Sequence, residues 1–166
     1  MSDDGEFTLT RTFDAPRALV WESYTKLEHL KRWWGPKGFE WVSGALEFRP
    51  GGRFHYCMRG PNGMEMWGKF DYREIEAPSL IVFTNSFSDK DGNTVRAPFA
   101  ADFPLRVLNT VTFAEAGGKT VLAMRGAPFE ASAAEEAFFK SMFASMNQGF
   151  TLTLNQLEEY LKQVKG

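Results

Sequence analysis

The chain has 166 residues and a formal net charge of −2, with 43% hydrophobic and 24% charged residues, the balance of an ordinary globular protein. That charge excludes a general attraction to nucleic acid or anionic membrane, and no apolar run approaches the ~20 residues of a membrane span. The single cysteine, Cys57, excludes an internal disulfide and a cysteine metal cluster.

The opening MSDDGEF is acidic and no apolar stretch follows it, so no signal peptide is expected and the protein is read as cytoplasmic. Phe7, Leu9 and Phe13 alternate as in a first strand. Asp14-Ala-Pro16 starts a short helix with proline in its first turn. Thr25 and Glu28 repeat a capping-box spacing, which predicts a second short helix ending near Trp33-Trp34-Gly35-Pro36. At most one of two adjacent tryptophans can face a given core, so the other should reach a rim or solvent.

From Glu40 onward the chain reads as strands and tight turns, the turns falling at 49–52, 60–63, 76–79 and 115–119. The stretch 88–105 is a longer irregular connection carrying Pro98, Phe99, Phe103 and Pro104, and its length suggests a lid over residues 97–104. From Ser132 to Lys165 an apolar stripe of Phe139, Phe143, Met146, Phe150, Leu154, Leu157, Leu161 and Val164 predicts one continuous amphipathic helix. Ser132 and Glu135 cap it, and at 1.5 Å per residue it would run ~45 Å.

Folding the hairpins tests whether one face is apolar throughout. A turn at 50–52 sets Phe48 opposite Phe54, Leu46 opposite Tyr56 and Gly44 opposite Met58. A turn at 60–63 sets Met58 opposite Met66, Tyr56 opposite Gly68 and Phe54 opposite Phe70. The last hairpin sets Phe113 opposite Leu122, Val111 opposite Met124 and Asn109 opposite Gly126. The other face carries Arg53, His55, Cys57, Arg59, Glu65, Trp67, Lys69, Asp71 and Arg73 and is expected to meet solvent, with Trp67 a candidate protein contact. One strand, two short helices, about six antiparallel strands and a long helix make an α+β protein in which the helix covers the apolar sheet face.

Catalytic and metal motifs are sparse. His29 and His55 lack a His-Glu-x-x-His or Cys-x-x-Cys context, and no Gly-x-Ser-x-Gly elbow occurs. Two phosphate-loop lookalikes fail: Phe70 stands where 63–69 would need Ser or Thr, and Gly118-Lys119-Thr120 lacks its upstream glycine. Glu40 shares the parity of Leu46 and is the one candidate acid–base carboxylate. The inward polar atoms are otherwise those of Tyr56, Tyr72, Asn85 and Asn109. An apolar wall with a few fixed polar groups describes a small-molecule pocket. Gly44, Gly68 and Gly126 on that face, and adaptable Met58, Met66, Met124, Met142 and Met146, favour a cavity; a filled aromatic core is the competing reading.

Arg11-Thr-Phe-Asp-Ala-Pro-Arg17, Val20-Trp21, His29-Leu-Lys-Arg-Trp-Trp-Gly-Pro36 and Arg49-Pro-Gly-Gly-Arg-Phe54 resemble the activator of heat-shock-protein-90 ATPase homologue branch of the START-like (SRPBCC, polyketide cyclase/birch-pollen-allergen-like) superfamily. The resemblance runs from about residue 6 to 164 of a single domain spanning 1–166. Where that family often has Gly-Trp in its closing helix, this chain has Gly149-Phe150. The resemblance implies a helix-grip fold, a curved antiparallel sheet wrapped around the C-terminal helix with a cavity between them. It does not choose among the carriers, receptors and cyclases built on that fold.

The expected function is binding of a small hydrophobic or amphipathic molecule in that cavity, by Trp34, Phe54, Tyr56, Met58, Met66, Phe70, Tyr72, Asn85, Asn109, Met124, Phe139, Met142 and Met146. No catalytic residue, metal or cofactor is assigned. The alternatives are a cyclase- or hydrolase-type enzyme using Tyr56, Tyr72 or Glu40, and a chaperone-activator-like protein-binding module. No nucleic acid partner is expected; a protein partner or homodimer stays open.

Overall fold

A computed structural model describes residues 5–35 and 37–165. In chain order the elements are β1 (Phe7–Phe13), α1 (Arg17–Thr25), α2 (Leu27–Trp33), β2 (Glu40–Leu46), β3 (Arg53–Arg59), β4 (Glu65–Glu76), β5 (Leu80–Ser88), β6 (Thr94–Val95), β7 (Val107–Ala116), β8 (Lys119–Pro128), α3 (Ala133–Ser141) and α4 (Phe143–Lys165). The strands form one curved, unclosed antiparallel sheet in the order β1-β8-β7-β5-β4-β3-β2, with β6 paired to the end of β5. This is the helix-grip arrangement. The two-residue β6 lies inside the segment expected to be an irregular connection. No helix among the described residues is long and apolar enough to cross a membrane.

The β3–β4 and β7–β8 hairpins pair as their alternation predicts: Tyr56 with Gly68, Phe54 with Phe70, Val111 with Met124 and Asn109 with Gly126. The β2–β3 hairpin keeps its faces but slips by two residues. Leu46 opposes Phe54 and Gly44 opposes Tyr56, because the connection is longer than a tight turn and Glu47 N bonds Arg53 O outside the ladder. A bulge between Trp41 and Ser43 then inverts the parity upstream, so Trp41 faces inward and Glu40 pairs with Arg59 on the outside. Glu40 is exposed and is removed from the inward carboxylates.

Two helix expectations also change. Ser132 and Glu135 form the reciprocal capping box, but the closing helix breaks at Met142, where the amide bonds back to Phe139 O and the Ser141 hydroxyl bonds Phe138 O. Such side-chain back-bonding competes with the helical ladder and bends helices. Thr25 caps nothing; its hydroxyl bonds Trp21 O in the preceding helix, and Lys26 is the α2 N-cap.

The outer face is less open than its charges imply. Arg53 donates to Gly92 O, and a His55 ring nitrogen bonds Ser88 Oγ and Asp89 O. Since β4 lies between β3 and β5, these bonds draw the β5–β6 turn across β4. Lys69 beneath it is 6% exposed and pairs with Asp71, which corrects its assignment to solvent. Cys57 is fully buried on the same face, and burial pushes its thiol pKa up, with the Glu65 carboxylate adding to the rise. Trp67 is half-buried and stacks on His55 at 5.0 Å.

The filled part of the core lies at the end of the sheet where α1 and α2 pack. Phe13, Val20, Leu30, Trp33, Phe113 and Leu122 meet Leu154, Leu157 and Leu161 of α4 there. A second, smaller cluster of Phe7, Val107 and Phe139 closes the opposite end. Val164, expected on the buried stripe, is exposed.

Candidate functional site

Between these two clusters the first half of α4 leaves room above the sheet. Two adjoining lobes open there, of about 270 and 260 Å³, with Asn85, Ser86, Phe87, Met146 and Phe150 common to both. The first lobe is walled by Trp34, Tyr56, Met58, Met66 and Gly68 from the sheet side and by Gly149 and Thr153 from α4. The second is walled by Phe7, Val107, Asn109, Met124 and Gly126, with Phe139 and Met142 closing it.

Of the residues expected to bind ligand, Trp34, Tyr56, Met58, Met66, Asn85, Asn109, Met124, Phe139, Met142 and Met146 therefore line the lobes. Phe54, Phe70 and Tyr72 do not; they are packed in the filled core next to them, Phe70 stacked on Phe83 at 4.2 Å and in edge contact with Trp34. Phe87, Phe150 and Phe7 were missed. Their inward parity was available in the sequence, but without a fixed register nothing separated cavity wall from core.

The three inward glycines do not open the cavity. A β-carbon at Gly44 would run into the Trp41 ring, at Gly68 into the Tyr56 phenol, and at Gly126 into the Asn109 carboxamide. Each glycine makes room for a neighbouring large side chain. The space comes instead from the distance between the sheet and the Met146–Thr153 part of α4.

Trp34 owes its place on the wall to α4. Gln156 Nε2 donates to Trp33 O and Gly35 O at 3.0 and 2.9 Å, and Thr153 Oγ1 also bonds Gly35 O. These bonds hold the end of α2 while Trp33, its own indole donating to Ser23 O, fills the core. So Trp33 faces the core and Trp34 the cavity. Burial pushes the Tyr56 phenol up to about 12; the nearby Trp34 indole pulls the other way, but that contact falls outside hydrogen-bonding geometry. Tyr72 and Tyr24 are pushed up further by burial. These phenols stay protonated at neutral pH and can donate hydrogen bonds.

The lid expected at residues 97–104 sits over the second lobe. Phe99 and Phe103 contact Phe87 from above, and Phe103 reaches Phe138 and Phe139. Arg96, at the start of this segment, bonds Phe103 O and forms an ion pair with Glu135 of the capping box. Phe99 remains 57% exposed.

Elsewhere, His29 hydrogen-bonds the Tyr160 hydroxyl between α2 and α4, away from both lobes. Among the described residues no group of three His, Cys, Asp or Glu side chains converges as a metal site.

No curated protein matches the chain. Among solved structures it is similar to protein Ms6760 from Mycobacterium smegmatis, at 29% identity and TM-score 0.78 over 96% of this chain and 91% of that one. It is also similar to a protein from Arthrobacter aurescens, at 27% identity and TM-score 0.77 over 97% and 88% of the two chains. Protein NE0264 from Nitrosomonas europaea shares the fold at 22% identity, TM-score 0.79, over 99% of each chain. Residues 14–162 match the family described as "Activator of Hsp90 ATPase homolog 1-like protein", and the chain belongs to that family.

Proposed function

We propose that the protein binds a small apolar or amphipathic molecule in the two-lobed cavity between the sheet and α4. The observation that carries this reading is the character of the lining: aromatic and methionine side chains, interrupted by the uncharged polar groups of Tyr56, Asn85 and Asn109. Such walls suit an apolar guest held in orientation by a few hydrogen bonds. The methionines add adaptability, since an unbranched thioether re-packs at low cost. The Phe99–Phe103 segment supplies a cover that can admit the guest.

Catalysis at this site finds less support. Glu40 lies outside, and the protonated Tyr56 is a donor at neutral pH, not a base.

Native mass spectrometry of the purified protein tests the proposal. A bound molecule that is released by Met146→Trp, which fills the space between the lobes, is the expected result. A molecule retained by that variant would place the site elsewhere.

A further inference from the structure

We propose that the ligand is uncharged and carries a hydrogen-bond acceptor, a carbonyl-class oxygen, near its middle, and that the Asn85 carboxamide is the donor that holds it. This rests on the cavity-binding reading and narrows the class of guest.

The orientation of the two asparagines follows from one backbone group. Asn109 Nδ2 donates to Val107 O at 3.1 Å and to Asn85 Oδ1 at 2.7 Å. A peptide carbonyl only accepts, so the amide nitrogen of Asn109 must face it, and Asn85 must turn its oxygen toward that nitrogen. The Asn85 NH2 is left without a hydrogen-bond partner among the described residues, on a side chain shared by both lobes. Ser86, the other polar residue common to both, pairs with Lys69 and so alternates to the outer face, whereas Asn85 pairs with inward Phe70. Asn109 Oδ1 is turned away against Gly126, where a β-carbon would lie 3.0 Å from it. What the waist of the cavity offers is therefore a donor. The Tyr56 hydroxyl, protonated and facing the first lobe, offers a second.

Charge complementarity gives the other half of the argument. Arg125 borders the second lobe, but it alternates with inward Met124 and Gly126 and its guanidinium pairs with Glu6 at 3.9 Å. Among the described residues no other charged one lines either lobe. An ionised ligand would be desolvated here without a counter-charge, which is strongly unfavourable. A neutral carbonyl loses only its water hydrogen bonds, and Asn85 replaces one of them.

The test uses three related probes: 6-propionyl-2-(dimethylamino)naphthalene, the same molecule with its carbonyl reduced to methylene, and 6-(dimethylamino)-2-naphthoate. Dissociation constants are measured for the wild type, Asn85→Leu and Asn85→Asp. The ketone's advantage over the methylene compound should fall about three- to tenfold in both variants, the worth of one hydrogen bond, and the naphthoate should bind the wild type at least tenfold more weakly than the ketone. The infrared carbonyl stretch of the wild-type-bound ketone should lie at the lower, hydrogen-bonded frequency, a readout that does not depend on either variant folding. An unchanged ketone advantage in a folded variant, equal affinity for the naphthoate, or a free-carbonyl stretch each overturns this proposal while the cavity stands. Failure of all three probes to bind the wild type overturns the cavity-binding reading beneath it.

Discussion

The phenol of Tyr56 lies over Gly68, its cross-strand partner, so closely that a β-carbon there would sit 2.7 Å from the hydroxyl oxygen. Gly68→Ala must therefore push the ring off the sheet, and the free space it can take is the first lobe. Overpacking of this kind costs about 1–3 kcal/mol, so the urea midpoint should fall while binding of a neutral dye such as Nile red weakens. Weaker dye binding without any loss of stability would mean the ring already lies elsewhere.

Two residues on α4 separate cavity from core on a single helix. Leu157 is fully buried and Met146 lines both lobes. Leu157→Ala should cost about 2–5 kcal/mol, as in a packed core. Met146→Ala should cost about 1–2 kcal/mol, because part of its surroundings is already empty. Denaturant unfolding of both variants checks this; equal large losses would show that α4 is packed along its whole length.

Glu135 serves two elements at once. The Arg96 guanidinium and then the Ser132 backbone N–H hold its carboxyl below the usual carboxylate range. A depressed folded-state pKa means the stabilisation is full above the unfolded value of about 4.3 and is lost as pH falls through the lower folded value. Between pH 6 and 3 the wild-type urea midpoint should fall more steeply than that of Arg96→Ala. Parallel curves would remove Arg96 as the cause.

The hairpins most legible in the sequence were those with short turns and unbroken alternation. At β3–β4, apolar Met58, Tyr56 and Phe54 must face Met66, Gly68 and Phe70, and a slip by one residue would bury charges. The β2–β3 register was not legible, since neither the length of the 47–52 connection nor the bulge after Trp41 leaves a mark on hydrophobic periodicity. That bulge alone moved Glu40 from the inner to the outer face. The burial of Lys69 depends on a turn reaching across a neighbouring strand, a long-range contact that pattern does not encode. For the candidate site, parity identified the inward residues. It did not separate Phe70 and Tyr72 in the core from Phe87 and Phe150 on the wall, because that distinction depends on how far α4 stands from the sheet.

Tyrosine titration tests the burial of the phenols. The raised values of Tyr56, Tyr72 and Tyr24 give stability that is complete below the unfolded value of about 10 and declines as pH rises above it. The absorbance of these three phenolates should appear together with loss of circular dichroism, well above pH 10. Two or more phenols ionising near pH 10 in a folded protein would contradict the packing described for them.

The methionine methyl NMR spectrum, recorded during titration with the neutral ketone probe, tests the cavity most directly. Met58, Met66, Met124, Met142 and Met146 line the lobes, whereas Met64 is 63% exposed on a turn outside them. Saturable shifts of the lining methyls with Met64 unmoved are the predicted result. Shifts confined to Met64, or none that saturate, would contradict the account.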